Sequence, residues 1–390
     1  MKFNFKKAVR TFIAGVAVFT QITATTPIFA EKNPVKIGAN YELSGDTASY
    51  GKQMLEGLEL AVEQVNNQGG VLGGRKLEIV SYDNKSDVTE AVSVAQRLAS
   101  SGVVGVVGPA LTAPAEAQIP ILTKAKVPNV LPAATGDDLT LDKDGKALEY
   151  VFRVCFKNAY QGQAGASFAV NNLKAKKAVI LVDQGSDYSR GLADNFIKEF
   201  EKDGGKVVSE QSFTSGDQDF SSILTTAMGQ DFDVLYIPSY YTEAGMIIKQ
   251  AREMGIEQPI VGPDGFSSEV LTELAGVENV NNIYFTDHFS VEDDTPKVKE
   301  FMTQFEEKFD KQGGTWNALG YDAAMLIVDA IERSGSDNPE KVTKAIAETK
   351  AFDGVTGTFA IDKEHNPVKP AVVIEMQEGK VKNVHTVKVD

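Results

Sequence analysis

Val103-Val104-Gly105-Val106-Val107-Gly108-Pro109-Ala110-Leu111-Thr112-Ala113-Pro114 is the stretch on which the fold turns. Its first five residues are continuously apolar and rich in β-branched side chains, as a parallel strand buried on both faces should be. Gly108-Pro109 breaks the run, and Thr112 stands where a helix should begin. A parallel strand needs a crossover to reach its neighbour, so strands and helices should alternate around it.

They do so on both sides. Val35 to Asn40 and Leu77 to Tyr82 read as strands. Between them, Met54, Leu58, Val62 and Val65 recur at helical spacing over Tyr50 to Asn67, and Gln68-Gly69-Gly70 ends that helix. Asp87 with Glu90 resembles a capping box, followed by Val88, Val92, Ala95 and Leu98. Later the rhythm returns. Ala178–Val182, Lys206–Ser212, Val234–Pro238 and Pro259–Gly262 read as strands. Helices are expected over Arg190–Lys202, Phe220–Met228, Ala244–Met254, Phe301–Phe309 and Ala318–Arg333. The tail from Gly357 to Val389 alternates in strand fashion. This is an α/β chain, and two such runs divided near residues 145–155 predict two doubly wound parallel-sheet lobes. A length of 390 residues suits about two domains.

The first thirty residues stand apart. Lys2, Lys6, Lys7 and Arg10 precede a short apolar run to Phe19, and Pro27-Ile28-Phe29-Ala30 follows. That reads as a signal peptide, residues 1–30, cleaved after about Ala30, and it implies a mature protein secreted to the periplasm. The run is too short for a spanning anchor. One cysteine, Cys155, permits no internal disulfide, and no cysteine near the cleavage site could carry a lipid. The formal charge of −15 argues against a nucleic-acid partner and an anionic membrane surface.

In open parallel sheets, ligands bind beyond the carboxyl ends of the strands. The loops there read Leu43-Ser44-Gly45 to Tyr50-Gly51, Gly108 to Pro114, Leu131-Pro132-Ala133-Ala134-Thr135, Asp183 to Tyr188, Pro238-Ser239-Tyr240 and Gly262-Pro263-Asp264-Gly265. They offer hydroxyls, backbone N–H groups, aromatics and carboxylates, with no lysine and no histidine. A zwitterion needs just such a set. Its carboxylate favours a helix N-terminus with hydroxyl donors, so Thr112 is a candidate. Its ammonium favours a carboxylate and a carbonyl, so Asp264 and Ala133 are candidates. Thr112 also reads as a plain N-cap, and Asp264 as a turn residue.

The order of these loops resembles the periplasmic leucine/isoleucine/valine-binding proteins, the type I solute-binding proteins of branched-chain amino-acid ABC transporters. The likeness runs from about Val35 to about Asp362. It rests on Leu43-Ser44-Gly45 with Tyr50-Gly51, the turn Gln68 to Gly74, Tyr82-Asp83, Gly108-Pro109, Pro132 to Thr135, Asp187-Tyr188 before Gly191, and Gly262 to Gly265.

The resemblance implies a hinge of three crossings near Val154, His288 and Asp362. Lobe 1 would comprise residues 31–153 and 289–362, and lobe 2 residues 154–288 and 363–390. It implies that Thr112 binds the ligand carboxylate and that Thr135, beside Ala134, helps hold the amino-carboxylate end. The Ala133 carbonyl and Asp264 would receive the ammonium. Tyr188 and Tyr240 would close over the ligand, and Tyr50, Ala110, Leu111 and Trp316 would surround its side chain. Trp316 reads equally as lobe core or lid packing. Asp264 departs from the family's usual Glu and is one methylene shorter.

The function this implies is capture of an amino acid, branched-chain or otherwise apolar, and its delivery to the membrane permease of an ABC transporter. A sensory binding protein, or a binder of short amides, urea-like or aromatic acid ligands, would use the same architecture. An enzyme is not expected. His288, His365 and His385 lie outside the loops, and His288 reads as a surface or hinge residue. No nucleophile elbow, phosphate loop or metal-ligand spacing occurs. No cofactor is expected, and the protein should be a monomer.

Overall fold

The computed structural model describes residues 33–387. The expected signal peptide lies outside the described residues. No helix among those described is long and apolar enough to cross a membrane.

The first sheet forms from β1 (Val35–Tyr41), β2 (Leu77–Asp83), β3 (Gly105–Val107), β4 (Asn129–Leu131) and β5 (Val151–Arg153). All pair in parallel, in the order β2-β1-β3-β4-β5. The connecting helices are α1 (Ala48–Asn67), α2 (Val88–Ala99) and α3 (Thr112–Ala125). Tyr50, Met54, Leu58, Val62 and Val65 form the buried stripe of α1, as their spacing predicts. Asp87 caps α2 by accepting from the Glu90 N–H at 2.9 Å.

The chain leaves this sheet after Arg153 and enters α4 (Asn158–Asn171). Then come β6 (Lys177–Asp183), α5 (Asp187–Lys202), β7 (Lys206–Phe213), α6 (Ser221–Met228), β8 (Val234–Tyr236), α7 (Tyr241–Glu253), β9 (Ile260–Gly262), α8 (Glu269–Ala275) and β10 (Ile283–Asp287). After them come α9 (Pro296–Phe309), α10 (Thr315–Ser334), α11 (Pro339–Ala347), a hairpin of β11 (Phe352–Gly354) and β12 (Gly357–Phe359), then β13 (Ala371–Gln377) and β14 (Lys380–Val387). The second sheet runs β14-β13-β10-β9-β8-β6-β7. Strands β6 to β10 are parallel, but β13 and β14 join antiparallel at one edge. The second sheet is therefore mixed. Adjacent β13 and β14 need only the short turn after Gln377, with no crossover helix between them.

Although α10 follows β6 to β10 of the second sheet in sequence, it packs against α1, β3 and β4 of the first. Two glycines let α1 and α10 touch backbone to backbone. A Cβ on Gly57 would lie 1.9 Å from the Asn317 carbonyl oxygen, and one on Gly320 would lie 2.2 Å from that of Met54. This close seam brings the N-terminus of α10, with Trp316, beside the first turn of α1, with Tyr50.

Two polar clusters hold the inner loops. Asn40, Asn84, Gln118 and Asn129 are fully buried amides. Asn40 donates to Gln118 at 2.6 Å, and both Gln118 and Asn129 donate to the Gly108 carbonyl at 2.8 Å. They fix the ends of β1, β3 and β4 relative to one another. Arg153, also fully buried, donates to the carbonyls of Ala134, Gly136 and Asp137 at 3.5, 2.9 and 3.4 Å. A buried cation held by carbonyls makes the loop after β4 rigid.

Replacing Gly57 with Ala should overpack the α1–α10 seam and cost about 1–3 kcal/mol in urea unfolding; unchanged stability would mean that the two helices are not in backbone contact. Burial pushes the Cys155 thiol up to about 12. Native protein at pH 8 should therefore resist a thiol reagent that labels the denatured chain quickly.

Candidate ligand-binding site

The carboxyl ends of both sheets converge on one small cavity of about 10 Å³, room for a single water. It is lined by Tyr50, Ala110, Leu111, Ala133, Tyr188, Tyr240, Asp264, Gly265 and Trp316. Eight of the eleven expected site positions thus line one space; Thr112 borders a neighbouring cleft with Gly136 and Asn158, and Ala134 and Thr135 line neither.

On the first-sheet side, the Ala110 and Leu111 N–H groups donate to the Glu42 carboxylate at 3.1 and 3.4 Å. Glu42 is buried, and burial raises its pKa, with the backbone donors opposing. Thr112 is the first residue of α3, with Leu111 at the N-cap, so it is not itself the cap. Its Oγ1 accepts from the Gly136 N–H at 3.3 Å. Burial pushes the Tyr240 phenol up, and the backbone and side chain of Thr112, across the cleft, oppose that shift. The phenol oxygen thus faces donors of the kind a carboxylate would use.

Ala134 gives its carbonyl to Arg153 and to the Cys155 thiol, while the Thr135 hydroxyl is buried with no hydrogen-bond partner among the described residues.

On the opposite side, Tyr188 occupies the first turn of α5 and Tyr240 caps α7. Their rings stack at 4.4 Å and 3°. Asp264 lies in a short 3-10 turn, Asp264–Phe266, directly after β9, and is 2% exposed. Its Oδ1 accepts from the Tyr188 hydroxyl at 2.6 Å, and its Oδ2 meets His288 Nε2 at 2.9 Å. Its N–H donates to Gln161 at 3.0 Å. Asp264 is thus an anchored carboxylate, not merely a turn former.

His288 corrects the sequence reading. It is buried, 2% exposed, and stacked on Phe156 at 3.8 Å. Burial pushes its pKa down to about 4. It sits at the end of β10, where the preceding apolar residues carry the chain inward. Its neighbour Asp287 accepts from Thr315 Oγ1 at 2.7 Å and Ser267 Oγ at 2.9 Å, and burial pushes it up to about 7.

The two sides are bridged directly. The Tyr50 hydroxyl donates to the Gly265 carbonyl at 2.5 Å and accepts from the Tyr241 N–H at 3.3 Å. Trp316 donates to the Ser267 carbonyl at 2.5 Å and meets the Tyr50 ring edge-on at 5.0 Å. Gly265, in the motif after β9, is required by the packing: a Cβ there would lie 2.7 Å from the Ser239 carbonyl and 2.9 Å from the Tyr188 hydroxyl.

The periplasmic binding protein family matches residues 34–380. A Leu/Ile/Val-binding protein homolog of Brucella melitensis is 30% identical over 95% of this chain and 98% of its own length. The branched-chain amino acid transporter substrate binding protein LivJ of Streptococcus pneumoniae, solved in complex with isoleucine, is 39% identical with a TM-score of 0.87, covering 92% of this chain and 100% of that one. The leucine binding protein LivK of Thermotoga maritima is 37% identical with a TM-score of 0.84, covering 90% and 98%.

The two buried acids have opposite pH signatures. His288 binds its proton more weakly when folded, about 4 against 6.5, so it withdraws stability as pH falls below 6.5. Asp287 binds its proton more tightly when folded, about 7 against 3.8, so it returns stability as pH falls from 7. His288→Gln should remove only the first effect. Relative to the parent, the variant should gain about 2 kcal/mol at pH 5 compared with pH 7.5, measured by urea unfolding. Identical pH dependence would contradict a neutral, buried His288.

Proposed function

The chain belongs to the periplasmic binding protein family, alongside the leucine/isoleucine/valine-binding proteins, and from that membership we propose that it captures a branched-chain or similar apolar amino acid and delivers it to the membrane permease of an ABC transporter. One observation carries this reading. Thr112 at the start of α3 and the anchored Asp264 carboxylate approach a single cavity from opposite sheets, with apolar and aromatic walls between them. One side suits an anion and the other a cation, and the walls suit an aliphatic side chain.

The cavity holds about one water, so an amino acid enters only when the two sides part. Residues 31–153 with 289–362 would move as one lobe, and residues 154–288 with 363–390 as the other. The crossings near Val154, His288 and Asp362 would bend.

In the open form Thr112 and the Ala133 carbonyl receive the ligand first. The Thr135 hydroxyl, which has no hydrogen-bond partner among the described residues, would help hold the amino-carboxylate end. The second lobe then brings Tyr188, Tyr240 and Asp264. The carboxylate takes the Thr112 donors that face the Tyr240 phenol, and the ammonium joins Asp264. Tyr50, Ala110, Leu111 and Trp316 enclose the side chain. A ligand that leaves a buried donor or acceptor unpaired is penalised by about 1–3 kcal/mol per group, so closure itself selects. Hinge closure is then a population shift driven by the ligand's preference for the closed form. Export by the leader, cleaved after about Ala30, places a monomer where the permease can receive it.

Thermal melting against the twenty amino acids tests this. Ligand at a hundredfold excess over Kd should stabilise the protein by about 2.7 kcal/mol. Leucine, isoleucine or valine should raise the melting temperature; no rise with any amino acid would overturn the ligand class. Thr112→Ala should weaken the best ligand by about 1–3 kcal/mol in calorimetry, and unchanged affinity would remove Thr112 from the carboxylate site.

A further inference from the structure

Asp264 presents its carboxyl group in a site from which water is largely excluded, and among the described residues no lysine or arginine bonds to it. Its two oxygens are held instead by Tyr188 Oη at 2.6 Å and His288 Nε2 at 2.9 Å. These donors come from different elements, α5 and the segment after β10. The His288 ring is itself fixed. Phe156 stacks on one face at 3.8 Å and 18°, and Trp316 meets it edge-on at 6.1 Å. Phe156 lies in the crossing after β5 and Trp316 in the first turn of α10, so His288 is packed between separate chain segments. Its backbone N–H is tied to the Asp287 carboxylate at 2.7 Å.

The tautomer follows from the surroundings. Nδ1 is buried and has no hydrogen-bond partner among the described residues, so a proton placed there would be desolvated and unpaired. Nε2 faces a carboxylate and must therefore carry the single proton. The other titratable groups nearby are Asp287, Cys155, Lys369 and the phenols Tyr50, Tyr188, Tyr236 and Tyr240. Lys369 acts on His288 in the sense that keeps it unprotonated. It spends its own hydrogen bond on Thr356 Oγ1 at 2.7 Å.

An uncharged donor and a charged one would do different things here. Lysine or arginine in this place would neutralise Asp264 and leave nothing for a ligand cation. A neutral imidazole fixes the direction of the carboxylate and leaves its charge unspent. It also suits a side chain one methylene shorter than glutamate, whose reach must be compensated by aim. We infer that His288 is a specificity-determining positioning residue, which points the Asp264 carboxylate at the ligand's ammonium as an uncharged donor and so makes the site demand a cationic amino group. This rests on the amino-acid reading of the site and adds to it the residue that enforces one half of the recognition.

The test compares isoleucine with its hydroxy analogue, 2-hydroxy-3-methylpentanoate, by calorimetry at pH 7.5 on the full mature chain. His288→Phe keeps the stacking on Phe156 and removes the donor; His288→Gln places an amide N–H near the position of Nε2. The Phe variant should lose at least tenfold in isoleucine affinity and change less than threefold toward the hydroxy acid. The Gln variant should return isoleucine affinity to within threefold of the parent. An equal loss for both ligands, or no recovery with Gln, would make His288 a packing residue only and overturn the inference while the amino-acid reading stands. Failure of the parent protein to bind any amino acid would overturn both. If the Phe variant does not fold, the Gln variant alone decides: it must keep the parent's preference for isoleucine over the hydroxy acid, and collapse of that preference in a folded Gln variant overturns the inference.

Discussion

A buried carboxylate without a permanent cation is the constraint on which this site depends. Desolvation makes such a charge costly unless its lone pairs are satisfied. Asp264 meets that requirement through Tyr188, His288 and the geometry of a short turn pinned by Gln161. The remaining deficit is what a ligand ammonium would relieve. The residues that hold Asp264 come from α5, α4 and the segment after β10, so the site exists only when these elements are correctly packed. The stacked Tyr188–Tyr240 pair and the required Gly265 serve the same packing.

The opposing side is built differently. There the donors are a helix start and the scaffold is a web of buried amides. Gln118, braced by Asn40, and Asn129 hold the Gly108 carbonyl, and Glu42 holds the next two N–H groups. Arg153 fixes the loop after β4 from below. One side is thus rigid through neutral amides and a carbonyl-bound cation, and the other presents a held anion. Tyr50 and Trp316 reach across from the first side and bond to carbonyls of the turn that carries Asp264. Closure and charge recognition therefore use the same few residues.

Much of this was legible in the sequence. Strand-helix alternation is a direct consequence of burying parallel strands, so β1 to β3 and β6 to β9 could be read from apolar runs. The loops at their carboxyl ends then pointed to most of the cavity lining. What escaped did so for physical reasons. The helix α4, with Ala164, Gly165, Ala166, Phe168 and Ala169 buried, lacks a polar stripe and hence a period. Strands β4 and β5 carry Asn129 and Arg153, and Pro128 precedes β4, so neither shows the continuous apolar run that marks β3. The antiparallel edge of β13 and β14 alternates like any half-buried strand, and alternation does not reveal direction. His288 escaped because nothing local distinguishes a buried histidine from an exposed one; its role depends on Phe156 and Asp264, distant in sequence.

The central claim is that both charges of one small ligand are paired at once. Calorimetric titration of the mature chain with isoleucine, with 3-methylpentanoate, which lacks the amino group, and with 2-methylbutylamine, which lacks the carboxylate, tests it most directly. The account predicts that isoleucine binds at least about a hundredfold more tightly than either half, a difference of roughly 2.7 kcal/mol. Binding of either half within tenfold of isoleucine would contradict it.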